Sequence, residues 1–238
     1  MCEPAISRRK ALSYGGGLAL AGVSLGAVTT YLPGGGRAIA ADLAITADEA
    51  LALLMEGNDR YVSGETRPRN FVADRAALAA RQAPFAVILG CADSRVAPEL
   101  AFDQSRGQLF VLRVAGNTLN VDMLASMEYA LAVLGTPLIM VLGHSACGAV
   151  GAAIKAVETD EQLPGHLPEL IAPIKPAVEA VRSQGGDLLA NAIEENVRLT
   201  VAKAAAARPI VSGLVADGKV KVVGGVYDLA TGRVELIV

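Results

Sequence analysis

The chain of 238 residues has no tryptophan, four phenylalanines, five tyrosines, two histidines and three cysteines. With aromatics at 4 % and hydrophobic residues at 53 %, its core has to be packed from Ala, Val, Leu and Ile. Those residues suit helices laid over a buried, mainly parallel sheet. The body lacks any basic block and the net charge is −3, which argues against a nucleic-acid partner. The length suits one domain of ordinary size rather than two. Cys2 lies at the extreme N-terminus, so only Cys91 and Cys147 remain in the body, too few for a disulfide framework. Each stands beside other metal-capable residues, and a metal site is expected in place of a disulfide.

Two stretches share one layout. The run Leu138-Ile139-Met140-Val141-Leu142 has strand length and stops at Gly143, and His144 and Cys147 follow three positions apart. An earlier run over 85–90 ends in Cys91-Ala92-Asp93-Ser94-Arg95. The order of apolar runs and helical spacings predicts helices over 46–61, 74–81, 121–134, 147–158, 167–183 and 187–207. Strands are expected over 85–90, 109–114, 137–143 and 219–229. Residues 208–216 fit a short helix or a strand, and Thr231-Gly232-Arg233 reads as a hairpin turn into 234–238. The expected fold is therefore α/β: a mainly parallel central sheet flanked by helices, with a C-terminal β-hairpin. In such folds ligands belong at the carboxyl ends of the strands, where Cys91 and His144 both fall.

Zinc takes thiolates and imidazoles tetrahedrally, and a catalytic site keeps one position open beside three protein ligands. Cys91, His144 and Cys147 supply three. The other body histidine, His166, sits in a loop flanked by Pro and Gly, so a closed four-ligand site is harder to assemble unless Asp93 joins it. Two thiolates cancel the formal charge of the ion, so its water is acidified less than at a three-histidine site. A neighbouring carboxylate that orients that water then matters more. Asp93 is the candidate, and Arg95 has the bidentate fork to keep it charged and aimed. A loop-capping pair beside a strand end is the plainer reading of Asp93 and Arg95. The metal-capable residues around them favour chemistry.

Cys91-Ala-Asp93-Ser-Arg95 followed by His144-Ser-Ala-Cys147-Gly148 resembles the paired zinc motifs of β-class carbonic anhydrases, and the likeness extends over nearly all of the chain from Thr46 onward. The resemblance implies one Zn²⁺ per subunit and reversible hydration of carbon dioxide to bicarbonate and a proton. Zinc-bound hydroxide would be the nucleophile, oriented by the Asp93–Arg95 dyad. It also implies that Gln82, Phe110, Ala115 and Tyr129 bind substrate, with Tyr129 contributed across a dimer interface, and hence a homodimer or homotetramer. Some family members hold a second, inhibitory bicarbonate with a Trp three residues before the first Cys. Here that position is Ile88, although Arg113 and Tyr129 are compatible with such a pocket, and the open-site subgroup is the better match. Alternatives are hydrolysis of carbonyl sulfide or carbon disulfide, a non-catalytic zinc protein, and a redox dithiol. Asp93 and Arg95 weigh against the non-catalytic site, and the wide spacing of the cysteines against the dithiol.

Ser7-Arg8-Arg9-Lys10 precedes an uncharged, Gly- and Ala-rich stretch that ends in Ala38-Ile39-Ala40. This resembles a twin-arginine export signal, although Ala11 stands where Phe is common. The glycines and Pro33 make it a poor membrane anchor. Residues 1–40 are therefore expected to be a cleaved signal and 41–238 the enzyme domain, exported to a bacterial periplasm. Membrane contact is expected only through the signal.

Overall fold

The computed structural model describes residues 45–159 and 162–238. The expected signal over 1–40 lies outside the described residues. Helix α1 (Ala47–Ser63) starts where Thr46 and Glu49 cap one another. Thr46 Oγ1 accepts the Glu49 N–H at 3.2 Å, and Glu49 Oε2 accepts the Thr46 N–H at 2.8 Å. The helix stops at Gly64, whose φ of 77° a side chain would disfavour. The short α2 (Arg75–Ala80) follows, and then β1 (Ala86–Gly90), which is buried throughout.

After β1 come α3 (Pro98–Ala101), β2 (Leu109–Arg113), α4 (Val121–Ala132), β3 (Leu138–His144) and α5 (Gly148–Thr159). Asn120 caps α4 by accepting the Met123 N–H at 2.9 Å. The expected single helix over 167–183 is corrected to two, α6 (Leu167–Ile171) and α7 (Lys175–Val181). Pro173 has no N–H to continue the helical ladder, and its ring crowds the preceding turn. Ile174, at the break, is fully buried instead. Next come α8 (Leu188–Ala205), capped by Asp187, and α9 (Ile210–Ala216), which settles 208–216 as helical. The chain closes with β4 (Lys221–Tyr227) and β5 (Val234–Leu236).

The strands form one sheet in the order β2-β1-β3-β4-β5, parallel except for the antiparallel β4–β5 pair. Alternation along the strands serves two cores. Ile88, Met140 and Leu142 pack with α1 and α3 on one face, while Val87, Leu89, Ile139 and Val141 pack with α4, α8 and α9 on the other. A third cluster, from α5, α6, α7 and α8, surrounds Cys91 and Cys147. Burial on both faces explains why β1 and β3 read as unbroken apolar runs. No single helix among the described residues is long and apolar enough to cross a membrane.

Candidate metal centre

Strands β1 and β3 are adjacent and in register, with Gly90 opposite Leu142, so their carboxyl ends open side by side. Cys91 follows β1 directly. His144 is the last residue of β3, one beyond the expected end at Gly143, and it pairs with Tyr227 of β4. Ser145 then ties the turn to the hairpin, donating its N–H to the Tyr227 carbonyl and accepting the Leu229 N–H on Oγ, both at 2.9 Å. Ala146 takes a left-handed φ of 54°, which turns the chain so that Cys147 faces back toward His144 just before α5 starts.

These turns bring Cys91, His144 and Cys147 together: their ligand atoms lie within 4.8 Å of one another, and all three residues are buried. His144 Nδ1 is 2.9 Å from the Ser145 carbonyl. A carbonyl only accepts, so Nδ1 carries the proton and Nε2 keeps its lone pair. Nε2 is buried and has no hydrogen-bond partner. An orphaned, correctly tautomerised nitrogen beside two sulfurs fits zinc, which takes this donor set in tetrahedral sites.

In the metal-free pair the two sulfurs compete for protons, and Cys91 gives up its own more readily than Cys147 while the remaining one is shared between them. Cys91 is pushed down, chiefly because Cys147 donates a hydrogen bond to it, with burial opposing and the Gly116 and Asp93 amides helping. Cys147 is pushed up by that same bond and by burial. A cation bound between them displaces the shared proton and takes both as thiolates.

Beside the three ligands stands the Asp93–Arg95 pair. Arg95 donates its backbone N–H and Nε to Asp93 Oδ1, both at 2.9 Å, and Nη2 to Oδ2 at 2.7 Å. The guanidinium and amide of Arg95 hold the Asp93 carboxyl well below the usual carboxylate range. Both carboxylate oxygens thus face Arg95, and Oδ2 also lies 3.8 Å from His144 Nε2.

Supporting contacts come from residues with no motif of their own. Arg113, at the end of β2, donates Nε to the Cys91 carbonyl at 2.9 Å and Nη2 to the Asp93 carbonyl at 2.6 Å. Gly116 donates its N–H to Cys91 Sγ at 3.3 Å, and Asn196 Nδ2 donates to the Gly116 carbonyl at 2.8 Å. Nothing in the sequence links Asn196 to the Ala115-Gly116-Asn117 turn.

Of the four expected substrate residues, only Ala115, next to Gly116, falls beside the metal ligands. Phe110 pairs with Val87 near the start of β1, three residues and so about 10 Å along the strand from Arg113. Its ring packs, tilted, against that of Tyr129 with the centroids 6.3 Å apart, and Tyr129 is 47 % exposed. Gln82 is exposed and precedes β1, at the amino end of the sheet. Within one chain, Gln82, Phe110 and Tyr129 are not brought to the metal ligands.

The family model described as carbonic anhydrase matches residues 86–234, a span that holds every residue of this centre. "Carbonic anhydrase 2" of Mycobacterium tuberculosis is 44 % identical over 185 residues, covering 77 % of this chain and 89 % of the relative. A carbonic anhydrase of Mycolicibacterium smegmatis is 39 % identical, with the same two coverages. Among solved structures, the β-carbonic anhydrase CcaA superposes with a TM-score of 0.62 at 28 % identity, covering 79 % of this chain and 91 % of that one.

Proposed function

The chain belongs to the β-class carbonic anhydrase family, and on that premise we propose how its own residues divide the work of the reaction. It is a zinc enzyme that catalyses the reversible hydration of carbon dioxide to bicarbonate and a proton. Held by Cys91, His144 and Cys147, zinc supplies the Lewis acidity that makes water nucleophilic near neutral pH.

Asp93 is the orienting base of the site. Its carboxylate is kept ionised by Arg95, and it accepts a hydrogen bond from the attacking water, which points the oxygen lone pair at the carbon of the substrate. Arg95 is the positioning half of the dyad, because three hydrogen bonds leave the Asp93 carboxylate no freedom to turn. With both oxygens of Asp93 engaged by Arg95, the arrangement supports the open site, in which Asp93 does not ligate the metal. Half-buried Ala115 and buried Gly116 lie beside the ligands, and the Arg113 bonds hold the Cys91–Asp93 segment.

Gln82, Phe110 and Tyr129 complete the substrate pocket from a second copy of the chain. Exposed Tyr129 and exposed Gln82, at the sheet end away from their own metal ligands, support this reading. The enzyme is accordingly a homodimer or a homotetramer of such dimers. The Arg8-Arg9 segment supports export: residues 1–40 are a cleaved twin-arginine signal, and 41–238 are the mature periplasmic enzyme. A folded export route lets zinc protect Cys91 and Cys147 before they meet an oxidising compartment. N-terminal sequencing of the periplasmic protein tests the cleavage, and an intact Met1 there would reject it.

The observation that carries the catalytic reading is the 3.8 Å approach of the Arg95-held Asp93 to the ligating nitrogen of His144. Stopped-flow hydration of carbon dioxide on protein of measured zinc content tests it. Rapid turnover that scales with zinc content is expected, and zinc-loaded protein without turnover would overturn it.

A further inference from the structure

We propose that Asn196 is a positioning residue for the metal centre: from α8 it fixes the Gly116 turn so that the Gly116 N–H stays aimed at the Cys91 sulfur. The inference rests on Cys91 being a zinc ligand and adds a residue 80 positions from the turn it holds.

Asn196 is 2 % exposed and lies on a helix face whose neighbours, Ala192, Ile193 and Val197, are apolar. A buried amide in such surroundings costs free energy unless it is hydrogen-bonded, so its partner matters. That partner is the Gly116 carbonyl at 2.8 Å, and the Gly116 N–H is in turn 3.3 Å from Cys91 Sγ. Helix α8 reaches the site because Gly143 lacks a side chain. A Cβ at Gly143 would lie 2.7 Å from Val197 Cγ2, so any larger residue would push the helix away.

The turn itself has little slack. Gly116 has a φ of 76°, and a Cβ there would meet Ile174 Cδ1 at 2.5 Å. Ile174, from the Pro173 break, presses on one side of the turn while Asn196 holds its carbonyl. An amide N–H on a thiolate withdraws charge from the sulfur and fixes its direction, which sets how strongly it binds a metal. Without the Asn196 donor the Gly116 carbonyl is left unsatisfied, and the peptide can rotate its N–H away from Cys91.

The test uses the full-length protein and two variants, Asn196→Leu, which keeps the branched shape and removes the donor, and Asn196→Ser, whose hydroxyl is too short to reach Gly116. Thr200→Val, one helical turn on and 6 % exposed, is the control for general destabilisation of α8. Competition with a chelator should show both Asn196 variants binding zinc about 10- to 100-fold more weakly than wild type, with Thr200→Val unchanged. In the cobalt(II)-substituted proteins, the sulfur-to-metal charge-transfer band should shift in the Asn196 variants alone. Variants that melt earlier yet match wild type in zinc affinity and in that band would overturn the role of Asn196. Wild-type protein that takes up neither metal would instead overturn the assignment of the metal ligands.

Discussion

His144 Nε2 and Asp93 Oδ2 lie 3.8 Å apart, one at the end of β3 and the other three residues past the end of β1. This short approach joins a metal-binding half to a proton-handling half. Neighbouring parallel strands in register make it possible, since both segments leave the sheet at one level. Three bonds from Arg95 hold the carboxylate on the metal side, and two from Arg113 hold the backbone beneath it.

Removing a ligand should remove the metal. Cys91→Ala, His144→Ala and Cys147→Ala should each purify with little zinc and lose activity by more than about 100-fold, beyond what an outer contact costs. Elemental analysis alongside stopped-flow assay checks this. A variant that keeps both zinc and turnover excludes that residue from the ligand set.

Asp93→Asn separates holding the metal from using it. Zinc content should stay near wild type, because Asp93 lies outside the ligand cluster. The rate of carbon dioxide hydration should fall by about 10²-fold or more, the range for a positioned proton acceptor. Wild-type turnover in this variant would mean that the dyad has no part in the chemistry.

The Asp93–Arg95 pair also makes a signed prediction about stability and pH. Asp93 has a depressed pKa in the folded protein, so its pairing stabilises the fold above the unfolded carboxyl pKa of about 3.9. That contribution is lost as pH falls through the lower, folded value. Arg95→Met returns Asp93 toward its ordinary pKa. The gap between wild-type and variant urea midpoints should be present at neutral pH and close well below about pH 4. An equal gap at both extremes would assign the stabilisation to packing of the Arg95 stem.

Gly116→Ala should be costly for two independent reasons. The position has a φ of 76°, and the added methyl would lie 2.5 Å from Ile174 Cδ1 and 3.2 Å from Ala149 Cβ. Strain at positive φ and overpacking each cost about 1–3 kcal/mol, so a loss of roughly 2–6 kcal/mol in denaturant unfolding is expected. Wild-type stability in this variant would show that the turn is free to move.

Much of this centre was legible from local pattern. The apolar runs that end at Gly90 and Gly143 announced strands buried on both faces, and the spacing of His144 and Cys147 announced two ligands of one ion. Contacts that depend on how distant segments pack left no such trace. Nothing in Asn196 or Arg113 as residues says that one reaches Gly116 and the other the Cys91 and Asp93 carbonyls. The helix expected over 167–183 failed because its apolar spacing persists through a proline that the backbone cannot accommodate. Periodicity reports which positions need burial, while Pro173 decides whether one helix can supply it.

The placement of Gln82, Phe110 and Tyr129 leads to a prediction that only an assembly can satisfy. If these residues serve the site of a partner, two inactive chains should repair one another. One chain carries Gln82→Ala and Tyr129→Ala with its own dyad intact, and the other carries Asp93→Asn with its pocket residues intact. In a mixed dimer the first chain's site receives wild-type Gln82 and Tyr129 from the second and becomes whole, while the reciprocal site lacks both contributions. Random pairing at equal amounts in a two-fold dimer makes about half the dimers mixed, each with one good site, so about a quarter of wild-type activity should return. Co-expression with two affinity tags isolates the mixed species for assay, and each variant alone supplies the baseline. If the pocket residues acted within their own chain, the mixture would show only the average of the two defective parents. Recovery above that average therefore requires that Tyr129 and Gln82 act across the interface, from the end of the sheet opposite their own Cys91.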